Sequence, residues 1–169
     1  MIENRRNYRI PFREKFVFST PIGVFAGNGV NVSKGGAFVS LLENPQIKTG
    51  LKCRTLFKLT PGSKPISLDA TVKRVIATST NPETVPGLAF EFENITPDVQ
   101  SMIDNYLEES RKNFEVIATI LASGEPDLLT LEPLLGTVQV PPFADLGELR
   151  FHVERILKSI EMVEKEENA

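Results

Sequence analysis

The sequence predicts a mainly β protein: an antiparallel β-barrel followed by α-helices. Three observations predict it. Residues 16–93 carry short alternating runs, the clearest being Leu51, Cys53, Thr55, Phe57 and Leu59 set against Lys52, Arg54 and Lys58. That is the period of a strand with one buried and one wet face. Turn residues punctuate these runs at Pro61-Gly62-Ser63 and Asn81-Pro82-Glu83. From residue 97 onward the apolar period becomes helical. Several short strands between turns favour closure into a barrel, which leaves no raw sheet edge.

The elements follow in order. Residues 1–15 read as a charged N-terminal arm, expected to be mobile without a ligand, and residues 16–96 as the barrel. Within it, Leu68, Ala70 and Val72 hold one phase while Val75 and Ala77 fall in the other, which places a bulge or bend near Lys73-Arg74. Leu88, Phe90 and Phe92 alternate with Glu91 and Glu93 in a further strand. Cys53 is the sole cysteine, so no intramolecular disulfide forms, and at an apolar strand position it reads as a small buried hydrophobe.

Thr96-Pro97-Asp98 starts a helix: a capping hydroxyl, a proline suited to the first helical position, and a carboxylate at the positive end of the dipole. Val99, Met102, Ile103, Tyr106, Leu107, Phe114, Ile117, Ala118 and Leu121 carry it to about 122, and Ser123-Gly124 close the segment 97–124. Pro126, Pro133, Gly136, Pro141 and Pro142 make 125–143 a linker, with a short helical piece around Leu128 to Leu135. Residues 144–169 form an amphipathic helix that Asp145 and Glu148 open in capping-box fashion. Leu146, Leu149, Val153, Ile156, Ile160 and Val163 make a short heptad seam. The seam either packs back on the 97–122 helix or builds a homodimer.

Charge is distributed unevenly. The net charge of -3 is the sum of +7 over residues 1–60, -1 over 61–93 and -9 over 94–169. A basic head concentrates a small anionic ligand, whereas an acidic tail repels a nucleic-acid polymer or an anionic membrane. No apolar run reaches the length of a membrane span, and the N-terminus lacks the apolar stretch of a signal peptide, so a soluble cytoplasmic protein without membrane insertion is expected. With one His, one Cys and no HExxH, GxSxG or P-loop pattern, neither a metal centre nor an enzyme is expected. The lone His152 reads as a surface or boundary residue of the last helix.

Two motifs carry the binding chemistry. Arg5-Arg6-Asn7-Tyr8-Arg9 offers guanidinium forks that match guanine O6 and N7 and also phosphate oxygens. In Asn31-Val32-Ser33-Lys34-Gly35-Gly36, the Asn31 amide can meet the Watson-Crick edge of guanine, and the Ser33 hydroxyl can bond phosphate or fix the turn. Gly35 and Gly36 allow close backbone approach. Together the motifs read as a guanine-nucleotide clamp.

An RxxxR followed by [D/N]xSxxG resembles the PilZ domain, a bacterial receptor for cyclic di-GMP. Arg5 and Arg9 stand at its arginine positions with Arg6 in the spacer, and Asn31, Ser33 and Gly36 at the named positions of its second motif. Ile10-Pro11-Phe12 is similar to its entry into the first strand, and Gly87-Leu88-Ala89-Phe90-Glu91-Phe92 to its glycine-led final strand. Asn31 departs from the commoner Asp and exchanges a bidentate carboxylate for an amide. The resemblance covers roughly residues 3–110. It implies a six-stranded barrel, cyclic di-GMP as ligand with no other cofactor, and Arg5, Arg6, Arg9, Asn31, Ser33, Gly35 and Gly36 as its binding residues.

The expected function is therefore a cyclic di-GMP receptor whose arm and C-terminal helices signal to a protein partner not yet identified. A PilZ-like protein-interaction adaptor that does not depend on nucleotide is the alternative. A third class, an RNA-binding small barrel, would use Tyr8, Phe12, Phe16 and Phe18 beside Arg5, Arg9 and Arg13 to stack bases.

Overall fold

The computed structural model describes residues 7–41, 46–77 and 85–168. Arg5, Arg6 and the expected turn at Asn81-Pro82-Glu83 lie outside the described residues. The chain divides into two compact units, one of residues Phe12–Ile103 and one that joins the end of the N-terminal arm, up to Pro11, to residues 104–169.

After a two-residue strand β1 (Ile10–Pro11), six strands form the barrel: β2 (Lys15–Thr20), β3 (Gly23–Val32), β4 (Gly36–Leu41), β5 (Lys52–Phe57), β6 (Ile66–Ile76) and β7 (Gly87–Glu93). They run in the order β3-β2-β5-β6-β7-β4, every pairing antiparallel, and β3 pairs with β4 to close the ring. This is the closed six-stranded barrel that the family resemblance implied. The bulge expected near Lys73-Arg74 is present as a register shift between Val72 and Arg74 against β7.

The alternating strands place their apolar halves inside. Phe16 and Phe18 are fully buried, and Phe16 lies 5.0 Å from both Phe57 and Phe90 between ring centroids. Phe18 meets Phe90 edge-on at 5.1 Å, and Phe57 stacks on Phe92 at 5.7 Å. Such pairs add about 0.5–1.5 kcal/mol each beyond the area they bury. Cys53 faces the same interior, where burial first, then the charges of Asp69 and Glu93, push its thiol up to about 11.

The wet face of β5, β6 and β7 carries cross-strand ion pairs, Lys52 with Glu93 at 2.7 Å, Arg54 with Asp69 at 3.0 Å and Lys73 with Glu91 at 3.2 Å. Exposed as they are, they contribute little stability and chiefly keep this face soluble and in register.

Three helices follow: α1 (Pro97–Ala122), α2 (Leu128–Leu135) and α3 (Leu146–Glu167). Thr96 Oγ1 accepts from Val99 N at 3.4 Å at the start of α1. Asp145 Oδ1 accepts from Glu148 N at 2.8 Å, while Glu148 reaches back to Ala144 N at 2.8 Å, one residue before the cap itself. Each bond satisfies a backbone donor that the helix start leaves orphaned.

Leu149, Val153, Ile160 and Val163 are buried within the single chain, as are Phe114, Ile117 and Leu121 of α1, and Arg111 of α1 ion-pairs with Glu164 of α3. The heptad seam therefore packs inside its own chain. A stripe already tethered beside a matching stripe closes without the translational entropy that a second copy would lose.

Two measurements test this core. Phe16→Ala, which removes a ring touching two others, is expected to lower unfolding free energy by about 3–5 kcal/mol in urea titration. Cys53 is expected to resist alkylation at pH 8 in the native protein and to react rapidly once denaturant exposes it. Because its folded pKa lies above the unfolded value, the linked stability is complete below pH 9 and is lost as pH rises toward 11.

Candidate functional site

The second motif occupies the end of β3 and the turn into β4. β3 slips register against β4 between Gly29 and Asn31, so Asn31 faces Phe38 just beyond the irregularity. A bulge of this kind re-aims the side chain that follows it. Asn31 Oδ1 is shielded from solvent and accepts no hydrogen bond among the described residues. An acceptor left so costs about 1–3 kcal/mol.

Ser33, by contrast, is satisfied locally. Its hydroxyl accepts from Gly35 N at 3.3 Å and donates to Gly36 O at 3.4 Å, and its own N–H donates to Gly36 O at 2.8 Å. Its hydroxyl thus fixes the turn, one of the two roles open to it in the sequence. Lys34 is exposed at the tip of that turn.

The two glycines serve the barrel. Gly35 O accepts from Phe92 N of β7 at 2.8 Å. A Cβ on Gly36 would stand 2.1 Å from Phe90 O, also on β7. Gly36 is thus closely approached by the neighbouring strand.

The described end of the first motif, residues 7–9, belongs to the other compact unit. Arg5 and Arg6 lie outside the described residues, and Arg9 is half-buried just ahead of β1. Tyr8, inside the motif's spacer, is half-buried too, and burial raises its phenol pKa. Arg111 opposes that shift, while Glu108, Glu164 and Asp104 reinforce it, so Tyr8 sits in the field of charges from α1 and α3. Two residues past Arg9, Pro11 O accepts from Tyr106 Oη at 2.8 Å. Tyr8, Arg9 and Pro11 of the arm are therefore half-buried and Ile10 is buried, rather than fully solvated. The sequence reading also missed the part of Tyr106: within an apolar stripe its ring looked like core, and only its hydroxyl marked it as a residue with a polar partner to find.

Phe12, Phe16 and Phe18 are each fully buried, so none can stack a base. Those rings are the barrel core, and the RNA-binding class loses the residues that motivated it. Among the described residues no group of three or more His, Cys, Asp or Glu is placed to hold a metal ion, and no helix is long and apolar enough to cross a membrane.

A closed barrel preceded by RxxxR and carrying NxSxxG on its β3–β4 turn defines a class. The PilZ domain family model matches residues 3–109, and the chain belongs to that family. Among solved structures, it is similar to the inhibitor of motility MotI/DgrA of Bacillus subtilis, with 19% identity, a TM-score of 0.56, and coverage of 66% of this chain and 53% of that one. It is similar also to the PilZ domain of YcgR from Escherichia coli with cyclic di-GMP, at 18% identity and a TM-score of 0.51, covering 67% and 98% of the two chains. The complex of MrkH from K. pneumonia with cyclic di-GMP matches at 19% identity and a TM-score of 0.53, covering 64% and 53%. The shared region thus spans about half the length of MotI and of MrkH. No curated protein sequence matches significantly.

The contrast between Asn31 and Ser33 is measurable. Asn31→Ala is expected to leave ligand-free stability unchanged or to raise it by up to about 3 kcal/mol, because it removes an unpaired acceptor. Ser33→Ala is expected to lower it by about 1 kcal/mol. Urea unfolding of both variants checks the pair, and equal losses would refute the distinction.

Proposed function

We propose that this chain is a receptor for cyclic di-GMP that acts by binding rather than by chemistry. Family membership supports the ligand class, and two of the similar structures hold cyclic di-GMP. The observation that carries the reading to particular atoms is the unpaired Asn31 Oδ1 in the second motif. Among the described residues it is an acceptor without a donor, and the guanine edge presents N1–H and N2–H donors. Ser33, Gly35 and Gly36 shape the turn that aims it, while Arg5, Arg6 and Arg9 supply forks for guanine and phosphate. An amide must be held in one orientation to do what a carboxylate does with either oxygen, so Asn31 lowers affinity relative to Asp.

Signalling follows from differential affinity: ligand that favours one arrangement of the arm shifts the population toward it. The arm ends against α1, and α2 and α3 expose apolar side chains, Leu129 at 85% and Phe151 at 56%, on which a cytoplasmic protein partner could read the change.

Isothermal titration calorimetry with cyclic di-GMP, and GTP as control, tests the reading. Selective binding is expected, with Arg9→Ala weakening it about ten- to hundredfold, the loss of one charge-assisted contact. Absence of binding by calorimetry and by a second method would leave the nucleotide-independent adaptor.

A further inference from the structure

The chain contains no tryptophan and two tyrosines, and both tyrosines stand where the arm meets the helices. Tyr106 Oη donates to Pro11 O at 2.8 Å, and the Tyr106 side chain is otherwise buried. Tyr8 is half-buried and lies in the field of Arg111, which bonds Glu108 of its own helix at 2.9 Å and ion-pairs with Glu164 of α3. Arg111 Nε is shielded from solvent with no hydrogen-bond partner among the described residues, which marks a guanidinium seated by its surroundings as well as by its carboxylates. The backbone carrying Arg9 runs between these two fastenings.

We propose that Tyr8 and Tyr106 are positioning residues for the arginine motif, through which the helical unit holds Arg9 ready for its anionic ligand. The inference rests on the receptor reading. A side chain on a free terminus loses rotamer and backbone freedom when a ligand captures it, and fastening the chain on both sides of Arg9 removes part of that cost beforehand. Two of the charged groups whose field reaches Tyr8, Arg111 and Glu164, lie beyond the family match, which ends at residue 109. The helical addition is thus part of the binding machinery. Coupling is reciprocal: whatever affinity the fastening adds for ligand, bound ligand returns as stability of the fastening, and so of the Arg111–Glu164 tie between α1 and α3.

The full chain labelled with 3-fluorotyrosine gives two fluorine resonances, assigned with Tyr8→Phe and Tyr106→Phe. Without ligand, Glu164→Gln and Arg111→Met are each expected to move the Tyr8 resonance, and an unmoved resonance in both would overturn the fastening. With cyclic di-GMP, the wild-type Tyr8 resonance is expected to shift. Tyr106→Phe and Glu164→Gln are expected to weaken binding about two- to tenfold, the range of one net hydrogen bond. Wild-type affinity in both variants would overturn the positioning role even where the fastening is real. Failure of the wild type to bind at all would sink the receptor reading and positioning for that ligand with it, whereas the ligand-free fluorine shifts still judge the fastening.

Discussion

Closure of the barrel at β4 is the constraint from which the rest follows. β4 lies between β3 and β7, and on both sides the backbones come so near that no Cβ fits: at Gly27 it would stand 2.3 Å from Ser40 O, and at Gly87 2.1 Å from Val39 O. Gly36 meets the same limit against Phe90 O. Tight flanks let a six-stranded ring close around a few large rings rather than around a void. Phe16, Phe18, Phe57, Phe90 and Phe92 then fill the interior, and their mutual contacts hold strands that are far apart in sequence.

Closure also explains the geometry of the second motif. Entering β4 between two crowded flanks requires a sharp turn, and Ser33 makes it by bonding Gly35 and Gly36 through its hydroxyl and its own N–H. Register slips at Gly29/Asn31 on the way in, which sets Asn31 apart from the regular ladder. The motif is thus divided between residues whose polar groups are used by the fold and one whose carbonyl is not. Folded proteins seldom bury an unpaired acceptor, and Asn31 Oδ1 has no donor among the described residues, which suits a donor supplied by a ligand.

Much of the fold was legible because its cues are local. Alternation across β5 and β7, the phase change at Lys73-Arg74, the Thr96-Pro97 cap and the stripe of α3 each depend on residues within a few positions of one another. Spacing alone could not choose between a seam that closes within one chain and one that dimerises, since both need the same stripe; the Arg111–Glu164 pair and the buried partners on α1 show that it closes within the chain. In the candidate site, the turn was legible and the arm less so. Charge marked Arg5, Arg6 and Arg9 as a solvated terminus, whereas Tyr8 and Arg9 are half-buried and Pro11 O accepts from Tyr106, a residue 95 positions away that bears no motif. At Gly36 the motif alone does not reveal the close approach of the β7 backbone, because Phe90 lies far away in the sequence.

The uneven charge of the chain takes on a different sense once the arm is placed with the helices. In the sequence a basic head and an acidic tail stand at opposite ends, and the tail looked like a device to repel polyanions. Yet residues 7–11 belong to the same compact unit as residues 104–168, and the groups around Tyr8 include Glu108, Glu164 and Asp104 as well as Arg111. The charge around the end of the arm is therefore mixed rather than basic. The balance is screened by salt over about 8–10 Å, so it weighs most on the shielded groups nearest Arg111 and least on exposed arginines. The +7 of residues 1–60 therefore overstates the field that an anionic ligand meets at the end of the arm, because the charges nearest Tyr8 are of both signs.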